Sequence, residues 1–109
     1  MKTIIILSIS ILIAAPLSAR AADAKTSWAN NCAQCHGASG KGDTKMSKML
    51  NAMDLTDPKE QSSFTDAQAA AASKDGIKQN GKTTMKAFGG KLTDDEIKAL
   101  VAYVRSLKK

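Results

Sequence analysis

The sequence predicts an all-α domain whose loops wrap a bound group, and three observations predict it. Three segments carry helical spacing with start and stop signals. No stretch alternates apolar and polar residues for long enough to form a strand. Two connectors, 37–64 and 80–91, are too long for a plain helical bundle. With 109 residues and four aromatic side chains, the chain holds one small domain whose protein core alone would be marginal.

The first element is a leader. Met1 and Lys2 give a basic start, Ile4 to Ala15 form an apolar run, and Pro16 breaks it. Ala19-Arg20-Ala21 puts small residues where a signal peptidase reads. Spanning a bilayer takes roughly 20 apolar residues, so the run is too short for an anchor. The expectation is a signal peptide over 1–21, cleaved before Ala22, and a domain over 22–109. That domain would be exported to the periplasm or an equivalent lumen, with no stable membrane insertion.

The first helix is expected from Asp23 to His36, capped by Asp23 and stopped by Gly37. Ala24, Trp28, Cys32 and Cys35 then share one face. The second runs from Asp66 to Gln79, with a Thr65–Gln68 capping box, Phe64 stapled onto Ala69, and Asn80-Gly81 as its stop. Its face is rich in alanine. The third follows a Thr93–Glu96 capping box and a Leu92–Ile97 staple. Ile97, Leu100, Val101, Val104 and Leu107 recur on its core face. Its first turn is acidic and its last turn basic, as the helix dipole favours. Within the first connector, Met46, Met49, Leu50 and Met53 hint at one further short helix.

Losing Lys2 and Arg20 with the leader lowers the net charge from +6 to +4. The lysines are spread out and lack interleaved aromatics, which argues against nucleic acid. A moderate basic excess suits an acidic protein surface instead.

The chemistry sits in Cys32-Ala33-Gln34-Cys35-His36, a C-x-x-C-H sequence. On a helix the two cysteines lie one turn apart on one face. That spacing fits two thioether bonds to one edge of a heme, with the adjacent imidazole on its iron. Zinc needs about four ligands, and this chain has two cysteines and one histidine. A thiol switch of the thioredoxin kind would sit near a βαβ unit, and no strand is expected. A disulfide between these cysteines would close almost no loop.

The sixth position on the iron is open to a methionine, a lysine or no protein ligand. Met46, Met49 and Met53 repeat at helical spacing and read as one apolar face. Met85 stands apart in a polar stretch bounded by Gly81 and Gly89-Gly90, 49 residues after His36. A soft thioether suits heme iron, and Met85 is the expected ligand.

These residues make the chain similar to a small, soluble class I cytochrome c. CAQCHG at 32–37 resembles the heme-binding signature, and 80–107 (NGKTTMKAFGGKLTDDEIKALVAYVRSL) resembles the methionine loop and last helix. The likeness covers the whole chain after the leader. It implies three main helices and long loops around one covalent heme c. It also implies that Trp28 on the first helix meets Leu100 and Tyr103 on the last, and that Trp28, Leu55 and Phe88 pack at the heme. One departure is Lys86, where many members have proline after the methionine.

Two functions follow. Two protein ligands on the iron would make a one-electron carrier and not an enzyme. It would be a monomer docking acidic redox partners at a lysine-rich heme edge. An open sixth site would instead make a gas sensor or weak peroxidase. The absence of a second histidine, with Arg105 the one arginine after the leader, weakens that reading.

Overall fold

The computed structural model describes residues 9–13 and 17–109. Much of the expected leader, 1–8 and 14–16, lies outside the described residues. Eight elements follow in order: helices α1 (Leu17–Asn31), α2 (Ala33–His36), α3 (Lys45–Leu50), α4 (Pro58–Gln61) and α5 (Asp66–Asp75), strands β1 (Ile77–Gln79) and β2 (Lys82–Met85), and helix α6 (Asp94–Ser106). No helix among the described residues is long and apolar enough to cross a membrane.

The first helix differs from expectation at both ends. It starts at Leu17, so Asp23 lies inside it and caps nothing. Alanines at 21, 22 and 24 flank Asp23, and such strong helix formers carry the helix through an aspartate. It also breaks at Cys32 (φ −115°, ψ −38°), making Asp23–His36 two helices. The break is shallow, because Cys32 N–H still donates to Trp28 O at 2.9 Å and Cys32 O still accepts from His36 N–H at 2.9 Å.

The second helix is corrected more substantially. Its capping box forms in both directions, Gln68 N–H to Thr65 Oγ1 at 3.1 Å and Thr65 N–H to Gln68 Oε1 at 2.8 Å. The helix ends at Asp75, however, and not at Gln79. Ile77–Gln79 instead pairs antiparallel with Lys82–Met85, with Ile77 opposite Met85 and an irregularity after Ile77. The expectation of no strand is therefore overturned for this hairpin. Asn80 and Gly81 both have positive φ (51° and 77°), the geometry of a tight hairpin turn, so Asn80-Gly81 closes two strands instead of ending a helix.

The last helix forms as its signals require. Thr93 Oγ1 accepts from Glu96 N–H at 3.1 Å, and Leu92 and Ile97 on either side of the cap are both buried. α1 packs across α6. Trp28, Leu55, Leu92, Ile97 and Leu100 form the core, with Phe64, Phe88, Tyr103, Val104 and Leu107 against it. The Trp28 and Tyr103 rings lie 5.6 Å apart. The mostly helical architecture, with one short hairpin, is the class the periodicity predicts.

The long connector is organised by polar contacts. Thr44 caps α3 by accepting from Ser47 N–H at 3.0 Å, and Asn51 in the left-handed region ends it. Met46, Met49 and Met53 remain exposed, Met49 at 69%. Gln61 is buried, and its amide donates to Leu55 O at 2.7 Å and Val104 O at 2.8 Å. Arg105 on α6 donates to Gln61 Oε1 (2.9 Å), Gln61 O, Phe64 O (2.8 Å) and Asp66 Oδ1 (2.7 Å), and lies over the Phe64 ring. Arg105 is thus committed to holding α4 and the start of α5 onto α6.

Candidate heme site

One turn of backbone gathers the expected attachment residues. Cys32 O accepts from both Cys35 N–H (3.2 Å) and His36 N–H (2.9 Å), so two thiols and an imidazole project from a single turn. Both cysteines are free and half-buried. Burial, with a smaller contribution from the charge of Cys35, pushes the Cys32 thiol up to about 11, so it is a neutral thiol at physiological pH. Burial lowers the His36 pKa, which favours the neutral ring whose lone pair can bind a metal.

The turn is fixed from two sides. On one side Trp28 Nε1–H donates to Gly37 O and Ala38 O, 3.2 Å each, and the Trp28 ring lies 5.7 Å from that of His36. On the other, the hydroxyls of Thr44 (2.8 Å) and Ser47 both donate to Cys35 O. Ser47 is completely buried. Thr44 and Ser47 escaped the sequence reading. Their signal was a T-x-x-S cap at the start of the methionine segment, which points to a helix start but not to its target.

The residues fit a covalently held heme. The two buried side-chain polar atoms without partners among the described residues are His36 Nδ1 and Asn31 Oδ1, on either flank of the cysteine pair. A ligating histidine uses one ring nitrogen for the metal and orients itself through the other. The donor set also matches, with two thiols and one imidazole on one turn and no group of three or more His, Cys, Asp or Glu side chains elsewhere among the described residues that could hold an ion.

The other expected residues fall in two places. Trp28 and Leu55 are buried in the core, and Phe88 packs against it. Leu55 is set by a local turn, in which Asp54 Oδ1 accepts from Thr56 N–H (2.9 Å) and Thr56 Oγ1 (2.6 Å) while Leu55 N–H donates to Gly40 O (2.8 Å). Met85 belongs to neither the Cys32–His36 turn nor that core group. It is half-buried at the end of β2, not in an irregular loop as the sequence implied.

Known proteins share this fold. The chain is similar to a solved structure titled KustC0563 c-type cytochrome, with 31% identity, a TM-score of 0.70, and coverage of 80% of this chain and 99% of that one. It is similar also to a tyrosine-to-phenylalanine mutant of Kustc0563, with 29% identity, a TM-score of 0.67, and coverage of 79% and 99%. No curated protein matches the chain at a significant level. The Cytochrome c family description matches residues 21–108, from within α1 past the end of α6, and the chain belongs to the cytochrome c family.

Proposed function

We propose that this chain carries single electrons between redox proteins on one covalently held heme c. Cys32 and Cys35 would anchor it, and His36 and Met85 would hold its iron. The family consists of c-type heme proteins that are generally electron carriers and not enzymes. The observation that carries the reading is the single turn from Cys32 to His36, which presents two free thiols beside a half-buried imidazole whose pKa burial lowers.

When bound, the group supplies the redox chemistry, its iron taking up and returning one electron. The chain's residues do the rest. The two thiols would hold the group through thioether bonds, whose formation from S–H and a carbon–carbon double bond loses no atom and needs no oxidant. The clamp of Trp28 on one side, with Thr44 and Ser47 on the other, holds the backbone turn that carries the imidazole. Trp28, Leu55 and Phe88 exclude water beside it. A thioether from Met85 on the iron would raise the reduction potential. Arg105 is held by protein acceptors and fixed as a tie between α4, α5 and α6.

Export follows from the leader, and docking from charge. Lys41, Lys45, Lys48, Lys82, Lys86 and Lys91 are all exposed, on the two connectors assigned to the heme edge. They suit acidic partners of a monomer.

The test is the absorption spectrum of the ferric holoprotein. A six-coordinate low-spin spectrum with the weak methionine–iron charge-transfer band is expected. The band should vanish in Met85→Ala and persist when Met46, Met49 and Met53 are changed together. A five-coordinate high-spin spectrum would favour the sensor or peroxidase reading.

A further inference from the structure

Gly76 stands where the last turn of α5 meets the hairpin. Its backbone (φ +73°, ψ −177°) lies in a region that essentially only glycine adopts. A Cβ at this position would stand 2.6 Å from Met85 O, 2.9 Å from Ala87 N and 3.1 Å from Lys86 C. All three are backbone atoms, so no side-chain rotation relieves the contact. Two further bonds close the same limb onto α5, Phe88 N–H to Ser73 O at 2.9 Å and Gly89 N–H to Lys74 O at 3.0 Å. Met85 is also paired with Ile77 across the hairpin. The segment from Met85 to Ala87 therefore lies in the space that a missing side chain at position 76 leaves open.

We propose that Gly76 is the positioning residue for Met85, a role that rests on the reading of Met85 as the iron ligand. It sets where the Met85 backbone can rest against α5, and hence where the thioether is delivered. A methyl group at position 76 pushes on the carbonyl of Met85 itself. Gly81 provides an internal control. It has nearly the same φ (+77°), but a Cβ there meets nothing within 4 Å. Alanine at either position carries left-handed strain, and at Gly76 alone does it strike the ligand's backbone.

The experiment compares the ferric holoproteins of the parent chain, Gly76→Ala, Gly81→Ala and Met85→Ala. The readouts are the methionine–iron charge-transfer band, the apparent affinity for added azide, and helicity by circular dichroism. Gly76→Ala should weaken the band and raise azide affinity about tenfold, equivalent to about 1.4 kcal/mol, with helicity kept. Gly81→Ala should stay within about twofold of the parent, below 1 kcal/mol. Equal effects at the two positions would overturn the proposal, because turn strain alone would explain them. So would an intact band in Gly76→Ala. A band that survives Met85→Ala removes the ligand reading and this proposal with it. A band lost in Met85→Ala but kept in Gly76→Ala removes the positioning role alone. Should Gly76→Ala not mature, Gly89→Ala presses the same limb from its far end, where a Cβ would lie 2.9 Å from Lys74 O. It too should weaken the band, and a parent-like band there overturns the proposal.

Discussion

Trp28 donates its indole N–H to the carbonyl of Gly37, nine residues on, at 3.2 Å, and shares the same hydrogen with Ala38 O. One side chain thus joins the core of α1 and α6 to the turn that bears the cysteines and histidine. The two parts of Trp28 can be separated by mutation. Trp28→Ala removes ring and donor and should cost about 3–5 kcal/mol. Trp28→Phe keeps a ring but removes the donor to Ala38 O, while Gly37 O still accepts from Gly40 N–H at 3.1 Å, and should cost about 1–3 kcal/mol. Denaturant unfolding of the two holoproteins measures both. A loss below about 1 kcal/mol for Trp28→Ala would contradict its place in the core.

Heme attachment should be required for the fold. The buried apolar residues among those described are Ala24, Trp28, Leu55, Leu92, Ile97, Leu100 and Val101, a small core for this chain. Cys32→Ala combined with Cys35→Ala, in cells that mature the parent protein, should yield a largely unfolded chain. Native-like helicity with cooperative melting in the double variant would contradict this.

The Asp54 turn should make stability sensitive to acid. Hydrogen bonds from the Thr56 hydroxyl and amide hold the Asp54 carboxyl below its usual 3.8. A carboxyl lowered in the folded state stabilises the fold above the unfolded value. That contribution disappears as pH falls from there through the lower folded-state value. Melting temperatures of the parent and Asp54→Asn should therefore differ at neutral pH and converge in acid. Parallel curves down through the carboxylate range would show that this turn contributes nothing.

Docking should weaken with salt. If exposed lysines on the two connectors steer acidic partners, the bimolecular electron-transfer rate should fall as ionic strength rises. Charge reversal at Lys82 and Lys86 together should flatten that dependence. A rate that is level or rising with salt in the parent protein would place docking on another face.

What the sequence by itself determined is local. The C-x-x-C-H turn, the two capping boxes and the apolar face of the last helix each depend on residues within a turn or two of one another, and all form, the C-x-x-C-H turn as a short helix set off from α1 at Cys32. Tertiary structure decided where neighbouring signals compete. Gly76 could have been a tolerated glycine within a helix running to Gln79, and Asn80-Gly81 either a helix stop or a hairpin turn. Only the closure of residues 85–89 onto the end of α5 selects the hairpin, through bonds from Phe88 and Gly89 to Ser73 and Lys74. Similarly, nothing near Arg105 or Gln61 in sequence announces that they meet, because a hydrogen bond spanning 44 residues leaves no periodicity to read. Short-range chemistry is written in spacing, whereas partners brought together by packing are fixed only when the helices cross.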